Sequence, residues 1–191
     1  MDPNKKLNRA LLIAASDNSK EVVALLLDNP GVDINAASGK GFTALHFAAS
    51  EGHLEVVVLL LEHPGVDVSA ATNSGHTALH LAARLGHDGI VAPLLENPMV
   101  DVRAATNNGD TALHKAARQG PAANPDVLRR LLTNPDTDPN LKTHRGNSPL
   151  MVLLRRGGNI ANQLMRAFME CDRVDLDLKD QDGRSLEDLA R

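Results

Sequence analysis

Aromatic side chains are scarce in this chain. Tryptophan and tyrosine are absent, and the 191 residues include three phenylalanines, Phe42, Phe47 and Phe168. A compact core of this size normally contains more large rings, so we expect thin helical layers packed through alanine and leucine. The scarcity also removes the platforms on which single-stranded nucleic acids stack. The net charge of −4 lacks the cationic surplus that binds phosphate backbones, so we predict no nucleic-acid binding.

Cysteine and long apolar runs are scarce as well. Cys171 is the only cysteine, so no internal disulfide can form, and we expect a reducing compartment, the cytosol or the nucleus. The longest aliphatic runs, Val22–Leu27 and Val56–Leu61, have six residues each, whereas a membrane-spanning helix needs roughly 20. We therefore predict no membrane insertion.

A heptapeptide recurs along the chain. TALHFAA begins at Thr43, TALHLAA at Thr77 and TALHKAA at Thr111, which gives a period of 34 residues. Related segments begin at Arg9, Ser148 and Ser185. The repeats span about residues 5–38, 39–72, 73–106, 107–143 and 144–180, and a partial sixth spans 181–191. Such self-similarity is the signature of a repeat architecture, and we call these segments units one to six.

Each repeated position has a physical explanation. The hydroxyl residue that opens the heptapeptide can cap a first helix by accepting a free backbone N–H. A Gly-His pair follows at Gly52 and Gly86, where the glycine can end that helix in a left-handed conformation. A further glycine precedes each hydroxyl residue by two positions and predicts a tight turn with positive φ. An aspartate recurs in each preceding loop, from Asp33 to Asp175, and predicts turn hydrogen bonds.

The heptapeptide and its spacing resemble the ankyrin repeat, which has units of about 33 residues and a T-P-L-H-x-A signature. The resemblance covers about residues 5 to 191. It implies an all-α ankyrin-repeat solenoid, a single domain over 1–191 of stacked helix-turn-helix units with β-hairpin-like loops. It also implies that His46, His80 and His114 tie adjacent hairpins by hydrogen bonds. A metal site would need several ligands around one point, and these histidines are spread one per unit.

Three departures from the repeat predict local structure. Pro93 lies in the second helix of unit three, where it removes a donor and clashes with the preceding turn, so we expect a kink or a late start. Asn124 and Pro125 follow an insertion and predict a helix cap and first turn. In unit five Met151 replaces the signature histidine, either by drift near the end of the array or to shape a binding surface. Unit six stops inside its first helix, and we expect a fragment of a longer protein rather than a half-repeat cap.

The resemblance places a partner on the concave face, which comprises the hairpin tips and the inner sides of the first helices. The candidate contact residues are Phe42, Phe47, Leu81, Arg84, Leu85, Lys115, Arg118, Arg145, Arg155 and Arg156. Exposed phenylalanine indicates a contact patch, and arginine suits planar carboxylates and phosphates. We therefore hypothesise a partner segment with an apolar part and an acidic or phosphorylated part. In the alternative, Phe47 and Leu81 pack inside the stack and the arginines form a solvated face.

One short motif suggests a modification. Residues Leu27 to Asn35 match the string L-x5-D-[VI]-N, in which ankyrin-repeat asparagines are hydroxylated. The simpler interpretation is a turn-forming asparagine. Hydroxylation of Asn35 is kept as a hypothesis.

Catalytic signatures are missing from the sequence. It contains no G-x-S-x-G, no P-loop, no dinucleotide fingerprint and no H-E-x-x-H. We therefore expect no enzyme activity and no cofactor. The expected function is that of a monomeric protein-interaction module, a scaffold or adaptor. A stoichiometric protein inhibitor and a substrate-recruiting array of a larger enzyme are the alternatives.

Overall fold

The computed structural model describes residues 3–118, 124–156 and 158–190. Within these ranges the regular secondary structure is helical, without strands. The helices are α1 (Pro3–Ser16), α2 (Lys20–Leu27), α3 (Ala44–Glu51), α4 (Leu54–Glu62), α5 (Ala78–Leu85), α6 (Asp88–Glu96), α7 (Ala112–Ala117), α8 (Pro125–Thr133), α9 (Pro149–Arg156), α10 (Gly158–Met169) and α11 (Leu186–Ala190).

The helices form two parallel rows. The odd-numbered helices are the first helices of the units and pack on one another in chain order, and the even-numbered second helices do the same. The predicted alanine layers are present, because Ala48, Ala82 and Ala116 are fully buried between neighbouring units. One continuous hydrophobic cluster runs from Leu11 to Phe168. The all-α repeat solenoid predicted from the sequence is therefore confirmed.

The predicted starts and ends of the helices are also present. The Thr43 and Thr111 hydroxyls accept the backbone N–H three residues later, at 3.5 Å. Gly52 and Gly86 end their helices with φ of 85° and 79°. At the turn glycine Gly75, φ is +78° and an added Cβ would lie 2.7 Å from a backbone nitrogen of the next unit. Glycine is therefore required there for both conformation and space.

The recurring aspartates form the expected turns. The Asp33 carboxylate accepts the backbone N–H two residues later at 2.9 Å, and the same bond recurs in the later loops at Asp67, Asp101, Asp138 and Asp175. These bonds fix the loop that precedes each hairpin. Their structural role accounts for the whole aspartate series.

The two proline positions behave differently from each other. Helix α6 includes Pro93 and begins at Asp88, one period after the start of α4, so the helix does not start late, and the alternative of a kink stays a prediction. Ile90 and Val91 precede the proline and are buried, and packing against neighbouring layers keeps that turn helical. Asn124 caps α8 as predicted, because its side chain accepts the N–H of Asp126 at 3.0 Å. The inserted residues 120–123 lie outside the described residues.

Candidate functional site

The signature histidines form a structural network. The Nδ1 atom of His80 lies 3.2 Å from the backbone nitrogen and 2.8 Å from the hydroxyl of Thr77. A backbone N–H can only donate, so Nδ1 accepts and Nε2 carries the proton. That Nε2–H donates to the carbonyl of Asp110 in the next unit at 3.0 Å. His46 and His114 repeat the arrangement, which confirms the predicted ties between hairpins.

Burial keeps these histidines neutral. Desolvation lowers the pKa of His80 and of His114 to about 4, against smaller opposing effects from the carbonyls they bond. The pKa of His46 is lowered for the same reason. Among the residues the structure describes, no group of three or more histidine, cysteine, aspartate or glutamate side chains is placed to hold a metal ion. Within the same residues, no helix has the length and apolarity to cross a membrane.

Unit five lacks the histidine tie. The Met151 sulfur lies 3.5 Å from the backbone nitrogen of Ser148, where units two to four place an imidazole nitrogen. A thioether is a weak acceptor and has no proton to donate. Met151 therefore cannot bond the hairpin of unit six, and other contacts must hold that hairpin in place.

Two of the predicted contact residues are buried. Leu81 and Lys115 occupy the same repeat position and are 2% and 8% exposed. Val152, at the same position in unit five, is 7% exposed. The Lys115 ammonium lies 2.9 Å from the buried Asp110 carboxylate, so its charge is already paired. The sequence-based assignment of Leu81 and Lys115 to the contact surface is corrected accordingly.

The early units nevertheless present an apolar area on the concave face. The rings of Phe42 and Phe47 are half-buried and lie 5.4 Å apart. Phe42 also lies 5.8 Å from the imidazole ring of His46. Arg84 is exposed beside Leu85, which is 41% exposed. These side chains are available to a partner, but no cavity encloses them among the described pockets.

The later units form a cavity of about 490 Å³ on the concave face. We call it the arginine cavity, after its lining residues Arg118, Arg145, Arg155, Arg156 and Arg184. The structure thus brings together four of the arginines predicted as contacts, with Arg184 from unit six. These side chains are separated by up to 66 residues in the sequence and come from three consecutive units.

Two buried carboxylates hold three of these arginines. Asp180 has no exposed side-chain surface, and its Oδ2 lies 2.5 Å from Arg155 and 2.9 Å from Arg184. Burial alone would raise the pKa of Asp180, but hydrogen bonds from Arg184, Asp182 and Arg155 outweigh burial and lower it to about 2. Asp110 bonds Arg118 at 3.0 Å in the same way. Burial opposes ionisation of Asp110 as well, and the cations Lys115 and Arg118 still lower its pKa.

The remaining two arginines, Arg145 and Arg156, differ from these three. Among the described residues, no carboxylate forms an ion pair with Arg145 or Arg156. The Arg156 Nη1 atom is buried and has no hydrogen-bond partner in that part of the chain. Leaving a buried charged donor unpaired costs about 1–3 kcal/mol or more. The cavity therefore contains unbalanced positive charge and an unsatisfied donor.

Sequence reasoning did not find Asp180. Its repeat position carries Ser38, Thr72, Thr106 and Thr143 in the other units. The departure from a small hydroxyl to a carboxylate was the available signal. Its role depends on the approach of Arg155 from the same unit and of Arg184 from unit six, which the repeat pattern does not predict.

Asn35, the predicted hydroxylation site, bridges two loops. Its Nδ2 donates to the Gly65 carbonyl, and its Oδ1 accepts from the Asp67 backbone N–H, both at 2.8 Å. Asn140 makes the equivalent pair of bonds in a later unit. These contacts give the side chain a structural role, and its hydroxylation stays a prediction.

Comparison with known proteins agrees with the repeat geometry. Family models described as ankyrin repeats match residues 11–61 (many copies) and residues 64–143 (3 copies). No curated protein matches the chain. Ankyrin repeats are generally protein–protein interaction modules. The two matches together cover more than half of the chain and fall within units one to four, and the chain belongs to the ankyrin-repeat family.

Proposed function

We propose that this chain is a scaffold or adaptor module that binds a segment of a partner protein on its concave face. The observation that carries the proposal is the arginine cavity, where guanidinium groups from three units converge around unbalanced positive charge. Buried polar groups are normally hydrogen-bonded, so an unpaired buried donor such as Arg156 Nη1 is not expected on a surface that contacts only water. A partner that brings negative charge satisfies both features.

The proposed contact surface has two parts. The apolar part contains Phe42, Phe47 and Leu85, with Arg84 at its edge. The basic part is the arginine cavity. An extended segment lying along the concave face would contact both parts, because repeat stacks use long continuous surfaces for binding. Leu81 and Lys115 are excluded from this surface by their burial.

The test is affinity capture with matched charge reversals. Arg145→Glu changes the basic part, and Arg129→Glu is the control on second helix α8, where the side chain is half exposed and pairs with Asp126. Circular dichroism should show that both variants remain folded. We expect at least one protein that wild type and Arg129→Glu capture equally and that Arg145→Glu captures about tenfold less. Identical capture by all three proteins would contradict binding on this face.

A further inference from the structure

We infer that the arginine cavity binds a phosphorylated side chain of the partner segment, with Arg145 and Arg156 as its main charge partners. The inference rests on the proposed function and specifies the ligand chemistry of the same surface. Three observations carry it: the charge balance of the cavity, the way its arginines are held, and its unpaired polar atoms.

The charge balance favours a dianion. Six cations lie in or directly behind the lining, the five cavity arginines and Lys115. The carboxylates that pair with them are Asp110, Asp180 and Asp182. Three positive charges therefore remain uncompensated among the described residues. A phosphorylated side chain brings about −1.5 to −2 charge and three acceptor oxygens, whereas a single carboxylate brings one charge and two oxygens.

The buried carboxylates fix the arginines without saturating them. A guanidinium group has five N–H donors, and Asp180 engages Arg155 and Arg184 through a single oxygen, Oδ2. The side chains of Arg118, Arg155 and Arg184 keep 46%, 38% and 45% of their surface exposed. Their free donors are therefore held in position before a ligand arrives, which reduces the ordering entropy of binding.

Two polar groups in the lining lack partners. The first is Arg156 Nη1. The second is the Oδ1 atom of Asn147, a residue 8% exposed, which has no hydrogen-bond partner among the described residues. A 180° rotation of the side-chain amide exchanges its oxygen and nitrogen, so the amide can supply a donor. A phosphoryl group offers acceptors for both.

The shape of the surface favours a peptide over an isolated anion or a lipid headgroup. A second cavity of about 310 Å³ shares Arg118 and Arg145 with the arginine cavity and is also lined by Asn108, Asp110, Thr143 and His144. Because the two cavities share lining residues they are adjacent, and we call them together the groove of units four to six. A phosphoryl group fills only a small part of that groove, and the flanking residues of an extended segment fit the rest.

The direct test is a titration followed by NMR of the arginine side-chain N–H groups. The probes are N-acetyl-O-phosphoserine N-methylamide and N-acetylaspartate N-methylamide, at constant ionic strength. We expect saturable shifts for Arg145, Arg155 and Arg156, with the phosphoserine probe binding about tenfold more tightly than the aspartate probe. Arg145→Gln/Arg156→Gln should abolish saturation, and Arg129→Gln should leave it unchanged.

Equal affinity for the two probes, or unchanged phosphoserine binding in the double variant, would overturn the inference. A parallel flotation assay uses vesicles that contain phosphatidylinositol phosphates. Flotation that depends on Arg145 and Arg156, without binding of the phosphoserine probe, would overturn it in favour of a lipid headgroup.

A third experiment separates this inference from the proposed function. The captured partner is treated with phosphatase before it is offered to the wild-type protein. Loss of binding supports phosphate recognition. Binding that survives phosphatase and still depends on Arg145 would leave the interaction module intact and overturn the phosphate inference alone.

Discussion

Units two to four and units five to six solve the same packing problem with different chemistry. In the earlier group, a buried neutral histidine joins each unit to the next hairpin, as His80 does to the Asp110 carbonyl. In the later group, Met151 provides no such bond, and the buried carboxylate of Asp180 joins Arg155 to Arg184 instead. The histidine hydrogen bonds of the earlier group are uncharged, and both partners of each bond belong to the protein. The ion pairs of the later group leave guanidinium groups facing a cavity.

Under the proposed function, this difference separates positions with a structural role from positions that bind the partner. Positions that follow the ankyrin pattern are occupied by internal hydrogen bonds and have nothing left to offer a ligand. Arg156 differs from these positions, because among the described residues its charge has no carboxylate partner and its Nη1 atom has no hydrogen-bond partner. We therefore expect changes at the signature histidines of units two to four to act mainly on stability, and changes at the arginines of the cavity to act mainly on binding.

The largest expected effect is the loss of stability at acidic pH. His80 and His114 have a pKa of about 4 in the folded chain and about 6.5 when unfolded. The unfolded state therefore binds more protons between these values. The stability that these two histidines contribute is fully present above pH 6.5. As the pH falls to 4, the free energy of unfolding decreases by roughly 3 kcal/mol for each of the two histidines.

Urea unfolding at pH 7 and pH 4 measures this loss. A His80→Gln variant removes one of the titrating groups, so its pH dependence should be smaller by roughly 3 kcal/mol. A pH dependence identical to that of wild type would show that His80 is not the group responsible.

The next largest effect is expected when one histidine hydrogen bond between hairpins is removed. His80→Ala removes a buried ring and leaves the Thr77 N–H and the Asp110 carbonyl without their partner, which should cost about 3 kcal/mol in the free energy of unfolding. The matched change in unit five is Met151→Leu, which conserves volume and loses only a weak contact. It should cost less than about 1.5 kcal/mol, and equal losses would contradict the contrast between the two groups of units.

Substitutions at the turn glycines test the same contrast between units two to four and units five to six. Gly75→Ala adds conformational strain of about 1–2 kcal/mol to a collision with the Asn107 nitrogen at 2.7 Å. Gly183, in unit six, has φ of +77°, but no atom of the described residues lies within 4 Å of the Cβ that Gly183→Ala would add. Thermal unfolding should therefore show a clearly larger loss for Gly75→Ala than for Gly183→Ala, and the reverse order would be inconsistent with the packing described.

The smallest expected effect is hydroxylation of Asn35. Exposure to an asparaginyl hydroxylase should add one oxygen atom, and the Asn35→Ala variant should add none at this site. Intact-mass analysis measures the change. Because a β-hydroxyl leaves both amide hydrogen bonds intact, we expect little change in stability. An unchanged mass of the wild-type protein would reject the modification.

Much of the scaffold was predictable because it repeats. The hydroxyl caps, the turn glycines, the aspartate turns and the histidine ties recur at one spacing, so each observation reinforced the others. Leu81 and Lys115 were misplaced because a helical position can face either the partner or the next unit, and only the stacking geometry decides between them. Asp180 was missed because it departs from the repeat pattern. Its partners, Arg155 and Arg184, come from two different units, and a departure from the repeat gives no spacing from which to predict such a pairing.

The central claim is that the arginine cavity of units four to six binds phosphate, whereas the histidine hydrogen bonds of units two to four stabilise the fold. Backbone amide NMR with N-acetyl-O-phosphoserine N-methylamide tests this directly across the chain. The account predicts saturable shifts that cluster around Arg118, residues 144–156 and residues 180–184, with units two and three unperturbed. Shifts centred on Phe42 and Phe47, or spread evenly over all units, would contradict it.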